Sequence, residues 1–548
     1  MMDAVWSQTG RNIMYISSVG GIEANPASVF HTNASRFIPR FAGKTVPAVA
    51  DMFAKRKVEF YSFAQLAHVL QIQRPRKAKD AEEAERWKNK LQNTLLIIDE
   101  VHALLAPLPG QKGECDKLMN FLTTERGARV KGLKVVVMTA TPGGAVNDVL
   151  RILNVLRDPA TPLLEYSQEK KREFAGRIRG LISFFDYSAD LSRYPRVVTK
   201  THRAVLSMDQ AMVIAEKAGP MPSNDVFDKL SKDGHAQRFW QLARSYTNTL
   251  YDWPKDMPMS SFSSKLQVLL QTIDEHPDCK HLVYSAFGDR RGYGGHGARA
   301  VLKALTEKGG MTEHRGETGM KPGERAALLS TGQPVDELVA AFNDKRNARG
   351  SVLRVLVATH AYKESVDLKG VRHIHVFEPQ VSMADHQQLV GRGIRMCSHS
   401  DLKYPDEWTV TIHTYVAEPP QVSSLLDKAK YESRRLRDYI DDAHTELNTL
   451  KGVRGQRAVQ GRRLALQSAI KNASRGYAEI RAELSALKLV SDAPSVDSEV
   501  YMFAKRRGDE VDGLLQILRD NAVDCKLFAA FHERGGIKVD CSSEPRAP

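Results

Sequence analysis

The chain is 548 residues long, with 79 Lys and Arg against 65 Asp and Glu, for a formal net charge of +14. A hydrophobic content of 42% and a charged content of 26% fit a packed globular protein and exclude wholesale disorder. No run of about 18 apolar residues occurs, and the first residues show no basic start before an apolar stretch, so neither a membrane span nor a secretory leader is expected. At about 100–200 residues per domain the length allows roughly three to five domains. The positive balance suggests a polyanionic partner. Five scattered cysteines (Cys115, Cys279, Cys397, Cys525 and Cys541) give an odd count with no CxxC pair. That disfavours a disulfide framework and a zinc site, and points to an intracellular, reducing compartment.

Short apolar runs recur between helical patterns. IMYIS (13–17), VEFYS (58–62), TLLII (94–98) and KVVVM (134–138) read as a first set of strands. HLVYS (281–285), VLRVLVA (352–358), HIHVF (373–377) and TVTIHTYV (409–416) read as a second. Near-continuous Val, Ile and Leu is the pattern of parallel strands buried on both faces. AVADMFAKR (48–56), FAQLAHVL (63–70) and ARAVLKAL (298–305) read as helices between them. Alternating strand and helix predicts doubly wound α/β units. Four regions follow: a first α/β lobe over 1–165, a mainly helical insertion over 166–261, a second α/β lobe over 262–425, and a helical extension over 426–548. Within the extension, 451–488 carries nine Lys or Arg against two Glu; a solvated helix face and a nucleic-acid contact are both open. GDRRGYGGHGAR (288–299) reads as a loop rather than a phosphate cradle, because no Lys-Ser/Thr ending follows it.

Four segments carry chemistry. LLIIDEVH (95–102) ends an apolar strand in two carboxylates. Asp99 at the strand tip can hold Mg²⁺, directly or through water, and Glu100 can orient or deprotonate an attacking water. His102 would couple them to neighbouring segments. MTATP (138–142) places Thr139, Ala140 and Thr141 where a parallel sheet presents its ligand edge. QLVGRGIRMCSH (388–399) spaces Gln388, Gly391, Arg392 and Arg395 so that, on a helix, Gln388, Arg392 and Arg395 lie near one face. Guanidinium groups suit a transferring phosphoryl group, and one placed on a γ-phosphate can be worth about 10³–10⁵ in rate. The preceding ATHAYKESVDL (358–368) offers Glu364 and Asp367 for ribose or nucleic acid.

In order, DEVH, TAT, ATHAYKESVDL and QLVGRGIR resemble motifs II, III, V and VI of superfamily 2 helicases and translocases, with HLVYSAF (281–287) as motif IV. GGIEANPASVFH (20–31), GLISFFDYSADLSRYP (180–195), AAFNDKRNARG (340–350), GRGIRMCSH (391–399) and AVDCKLF (522–528) are similar to the helicase-like nucleoside triphosphatases and early transcription factor subunits of large cytoplasmic DNA viruses. The resemblance implies two RecA-like lobes, the first N-terminally incomplete. It also implies ATP and Mg²⁺ as cofactors and ATP-dependent movement on nucleic acid, DNA before RNA, during viral transcription. Viral RNA polymerase or transcription factor subunits would be partners, with no membrane. The location implied is the host cytoplasm or viral factory, packaging in the virion being open.

Such proteins use a phosphate-binding loop, AxxGxGKT. AGKT (42–45), with Gly43, Lys44 and Thr45, is the one candidate, but Phe41 stands where glycine is expected and Pro39 just before it. IMYISSVGGIEANP (13–26) looks like motif Ia and VEFYSFAQLAHVL (58–70) like motif Ib, which places the expected loop before Met1 or makes it lost. A catalytically inactive or truncated scaffold that binds nucleic acid or the transcription machinery is therefore the alternative reading. A nuclease or restriction-type motor subunit is disfavoured, because no PD-(D/E)xK-type cluster is found after the second lobe.

Overall fold

The computed structural model describes residues 12–541, except 18–26, 28–29, 32–44, 56–57, 72–81, 83–84, 86–88, 106–111, 127–129, 187–189, 233–234, 251–255, 289–294, 317–322, 324, 331, 360–365, 452, 454–456, 535 and 537. In the first lobe, β1 (Asn12–Ser17), β2 (Val58–Ser62), β3 (Thr94–Ile98) and β4 (Lys134–Val137) form one parallel sheet in the order β2-β1-β3-β4. Helices α1 (Val46–Ala54), α2 (Phe63–Gln71), α3 (Lys112–Asn120) and α4 (Val146–Leu156) accompany it. Alternate strand residues feed two cores, as the two-residue period of a strand demands. Met14, Ile16, Leu96 and Ile98 pack with α2 and α3 on one face, and Ile13, Tyr15, Leu95 and Ile97 pack with Val49 and Phe53 of α1 on the other. This double burial is why these strands read as unbroken apolar runs.

After α5 (Lys171–Ile178) comes β5 (Arg196–Val205), then α6 (Met208–Lys217), α7 (Asn224–Lys232), α8 (Gln241–Asn248) and α9 (Ser264–Asp274). The second lobe continues with β6 (Lys280–Ser285), α10 (Ala298–Glu307), β7 (Thr312–Glu313), β8 (Arg325–Leu329) and α11 (Val335–Asn343). It is completed by β9 (Val355–Thr359), β10 (Val371–Val376), α12 (Met383–Val390) and β11 (Thr409–Glu418). Its seven-stranded parallel sheet has the order β5-β11-β10-β6-β9-β8-β7. The stretch 166–261, expected to be mainly helical, thus also supplies the edge strand of the second sheet. β5 pairs with β11 along its whole length, from Arg196↔Thr409 to Val205↔Glu418. An edge strand keeps much of its surface wet, and RVVTKTHRAV carries the Lys and Arg that such edges tolerate, so it lacks the apolar signature. The short β7 and the following β8 were likewise not visible as runs.

The extension is helical: α13 (Ser423–Leu450), α14 (Arg457–Ser491), α15 (Val496–Asp520) and α16 (Cys525–Arg534). The first half of α15 contributes Val496, Val500 and Phe503 to a core with Ile214, Phe227, Phe239 and Trp240. Its second half contributes Val511, Leu514, Ile517 and Leu518 to a core with Val149 and Leu153 of α4 and Phe174 and Ile178 of α5. One helix therefore spans from the second lobe to the first.

The cysteine expectation needs a correction. Cys525 and Cys541 are joined by a disulfide, with Cα atoms 5.8 Å apart, while Cys115, Cys279 and Cys397 are free thiols. Spacing could not show that the chain after α16 folds back. Gln516 Nε2 donates to the Lys538 carbonyl at 2.8 Å, and the Asp540 N–H donates to the Asp520 carboxylate at 2.9 Å. No helix among the described residues is long and apolar enough to cross a membrane.

Candidate active site between the lobes

Asp99 directly follows β3, and its N–H still donates to the Ile16 carbonyl at 2.9 Å, so the carboxylate sits at the strand tip. Oδ1 accepts the Glu100 N–H at 3.0 Å. Oδ2 accepts the hydroxyl of Tyr15 on β1. Burial, and then the Asp99 charge, push the Tyr15 phenol well above its ordinary value, so it stays protonated and remains a donor. Glu100 has φ +51°, ψ +47°, a left-handed conformation that a non-glycine residue adopts rarely. The turn starts a short 3₁₀ helix, Val101–Leu104, and leaves both carboxylates half-buried.

His102 joins the lobes. Its Nδ1 lies 2.9 Å from Thr139 Oγ1 and 3.3 Å from Glu100 Oε2. Its Nε2 lies 2.7 Å from Nε2 of Gln388 on α12, which also donates to Thr141 Oγ1 at 2.8 Å. The Gln388 amide is a donor, so His102 Nε2 accepts and the ring proton sits on Nδ1, facing Thr139. Thr139 Oγ1 also accepts the Thr141 N–H at 3.1 Å, closing a small turn around exposed Ala140. Gln388 Oε1 is buried without a partner among the described residues. The lobes touch again nearby: a Cβ on Gly144 would lie 2.6 Å from Ser382 Oγ, so a side chain there would have to displace the Ser382 hydroxyl. A cavity of about 150 Å³ opens beside this contact, lined by Gly143, Gly144, Met383, Gln387, Lys505 and Asp509 among others.

The arginines are placed differently from expectation. α12 ends at Val390 and is capped by Gly391, so Arg392 and Arg395 stand in the following turns instead of on the helix with Gln388. Gly393 explains the break. A Cβ there would meet Ile374 Cδ1 at 2.9 Å and Val371 Cβ at 3.3 Å, so the turn lies flat on β10. Arg392 is half-buried. Arg395 Nη1 lies 3.3 Å from Asp367 Oδ1, a pair within the second lobe. Thr45 caps α1, its Oγ1 accepting the Ala48 N–H at 3.4 Å. Gly43, Lys44 and Glu364 lie outside the described residues. The structure thus brings Asp99, Glu100, His102, Thr139, Thr141 and Gln388 together, and keeps Asp367 and Arg395 as their own pair. Tyr15 was missed; its signal was a hydroxyl-bearing residue in an apolar strand beside the acidic one.

Two parallel α/β lobes thus meet at an acidic strand tip. Residues 264–397 match the helicase conserved C-terminal domain. A putative ATP-dependent RNA helicase of Acanthamoeba polyphaga mimivirus is 23% identical over 374 residues, covering 62% of this chain and 63% of that protein. A putative helicase of frog virus 3 is 24% identical over 359 residues, 61% of this chain and 37% of that one. The early transcription factor 70 kDa subunit of vaccinia virus is 27% identical over 180 residues, 31% of this chain and 27% of the subunit. The match spans less than two thirds of each of these relatives. These matches support a helicase-like protein.

Proposed function

We propose that the chain is an ATP-dependent helicase or translocase that acts on nucleic acid, DNA before RNA, in viral transcription in the host cytoplasm or viral factory. The observation that carries this reading is the bond from Gln388 of the second lobe to His102 and Thr141 of the first, next to Asp99. A group bound at Asp99 would be sensed across the cleft, and a change in lobe spacing would be felt at Asp99.

ATP would lie in that cleft with Mg²⁺, which supplies charge neutralisation of the phosphates when bound. Among the described residues no group of three or more His, Cys, Asp or Glu could hold a metal alone. That fits an ion that keeps its waters and takes one carboxylate plus substrate phosphates. Asp99 suits it, since each oxygen accepts one protein donor and keeps a lone pair for a metal-bound water. Glu100 would orient the attacking water, and Thr139 and Thr141 would pass lobe position to it through His102. Arg392 would stabilise charge on the transferring phosphoryl group; Arg395 would hold the turn through Asp367. Nucleic acid would cross the lobes, gripped mainly through phosphates, in contact with transcription factor or polymerase subunits.

The test is nucleic-acid-stimulated ATP hydrolysis by the full chain. Arg392→Ala is expected to lower the stimulated rate by about 10³-fold or more; a wild-type rate equal to that of the variant overturns the reading. The scaffold reading, favoured because the 548 residues carry no full AxxGxGKT segment and AGKT (42–45) lacks the preceding glycine, predicts instead nucleic-acid affinity with no ATP binding by calorimetry.

A further inference from the structure

Helices α13 and α14 form an antiparallel hairpin. Arg462 pairs with Glu446 at 2.8 Å, a Cβ on Gly476 would touch Leu436, and Ala443, Leu447, Leu466 and Ile470 make a small core of their own. The hairpin is thus a rigid arm whose far part packs on itself. Its charge is unevenly spread. From 451 to 478 the sequence holds seven Lys or Arg and no Asp or Glu. The acids lie on α13, including Asp427, Asp438, Asp441, Asp442 and Glu446.

On α14 the arrangement is a stripe. At 100° per residue Arg457, Leu464, Lys471 and Arg475 fall within about 40° of one another, opposite the buried Leu466 and Ile470. All four are exposed, and Leu464 is 67% accessible. Arg457 and Lys471 have no acidic partner among the described residues; Arg475 has only Glu479, one turn on, at 3.4 Å. The stripe runs about 27 Å from Arg457 to Arg475 at 1.5 Å per residue. No aromatic ring lies on it, and Tyr477 is half-buried on the opposite face, with Leu466 and Ile470. Cations in a line without a stacking platform match phosphates rather than bases.

We propose that this outward face of α14 holds the sugar–phosphate backbone of a nucleic-acid duplex outside the cleft between the lobes. The proposal rests on the reading that nucleic acid is the partner of the chain. An arm on the duplex would keep the protein on its track while the lobes open and close, and would contribute affinity without sequence preference.

The experiment is binding of the full chain to DNA and RNA duplexes of about 20 base pairs, and to a single strand of the same length, as salt is raised from about 0.05 to 0.2 M. For Arg457→Gln/Lys471→Gln/Arg475→Gln, the slope of log affinity against log salt on a duplex is expected to fall by about 2.7, and affinity near 0.1 M salt to drop by about 100-fold. Each single substitution should remove about one unit of slope, which keeps the test open if the triple variant folds poorly. Arg457→Lys/Arg475→Lys should retain the wild-type slope. A wild type that binds duplex with the same slope as the variants overturns the role of the arm and leaves the nucleic-acid reading standing. A wild type that binds neither duplex nor single strand overturns both. Equal losses on single strand and duplex overturn the duplex in favour of a single strand.

Discussion

Tyr15 stands on the strand beside Asp99 and gives its hydroxyl to Oδ2, so the carboxylate proposed to face Mg²⁺ is oriented by a neighbour rather than by its own turn alone. Outer partners of this kind set the geometry of a ligand more than the strength of the fold. Tyr15→Phe is therefore expected to lower folding stability by only about 1–3 kcal/mol, and to raise the Mg²⁺ concentration for half-maximal ATP hydrolysis by about 10-fold. Unchanged magnesium dependence would remove Tyr15 from the site. Its role was not legible beforehand because it depends on strand order. Tyr15 pairs with Ile97, so β1 and β3 are neighbours although β2 lies between them in the chain. The acidic pair, the threonines and Gln388 were legible, because each closes or follows an element with its own sequence signature. The end of α12 was not, since Gly393 is set by contact with β10 and not by local propensity.

Among the elements, the second sheet holds a ladder of imidazoles. His281 on β6 pairs with His373 on β10, and His375 with His413 on β11. The rings of His375 and His413 stack at 4.7 Å. Hydrogen bonds run from His202 Nε2 to His413 Nδ1 at 2.8 Å, from His413 Nε2 to His373 Nδ1 at 3.0 Å, and from His281 Nδ1 to His375 Nε2 at 3.0 Å. His375 Nδ1 meets Tyr415 Oη at 2.8 Å. Burial is the main cause that lowers these histidines, to about 3 for His281, about 2 for His373 and about 3 for His413. Neighbouring imidazoles, Lys200, Arg354 and Arg372 add to it. The folded state thus excludes protons that the unfolded chain binds below about pH 6.5. Stability is complete above that pH and falls as pH drops from about 6.5 toward 3, by roughly 1 kcal/mol or more per pH unit for each excluded proton. Denaturant midpoints measured between about pH 7.5 and 5 should fall, and His373→Asn should flatten the decline; a flat wild-type profile would count against the ladder. The alternating His373 and His375 of HIHV stand in the sequence, but their alignment with His281 and His413 belongs to register, which no single strand encodes.

At the scale of the molecule, buried charges tie the extension to the second lobe. Lys265 on α9 and Asp497 on α15 are fully buried and 2.7 Å apart. Asp497 also accepts the Thr247 hydroxyl at 2.8 Å and the Ala417 N–H at 2.9 Å. Glu378, just after β10, accepts from Asn248 at 3.1 Å and from Ser285 at 3.1 Å. Full satisfaction makes such groups specify one arrangement, and losing one partner would strand the other. The two lobes were legible because their strands are buried on both faces; the seat of α15 was not, because a charged amphipathic helix does not name the surfaces it will cover.

That seat has a mechanical consequence. α15 is 25 residues long and is anchored near its start by Asp497 and near its end by Leu514, Ile517 and Leu518 on α4 and α5. A helix resists stretching, so any stroke between the lobes must shear one seat or rotate about the cavity at its middle. The first-lobe seat has apolar contacts and the second-lobe seat has buried charge as well, so the first-lobe seat should yield. Leu514→Ala is expected to cost about 2–5 kcal/mol, and in amide hydrogen exchange to loosen 511–518 before 496–503. Equal protection in the two halves would mean that the lobes and the helix move as one rigid body, and that any movement between the lobes is taken up elsewhere.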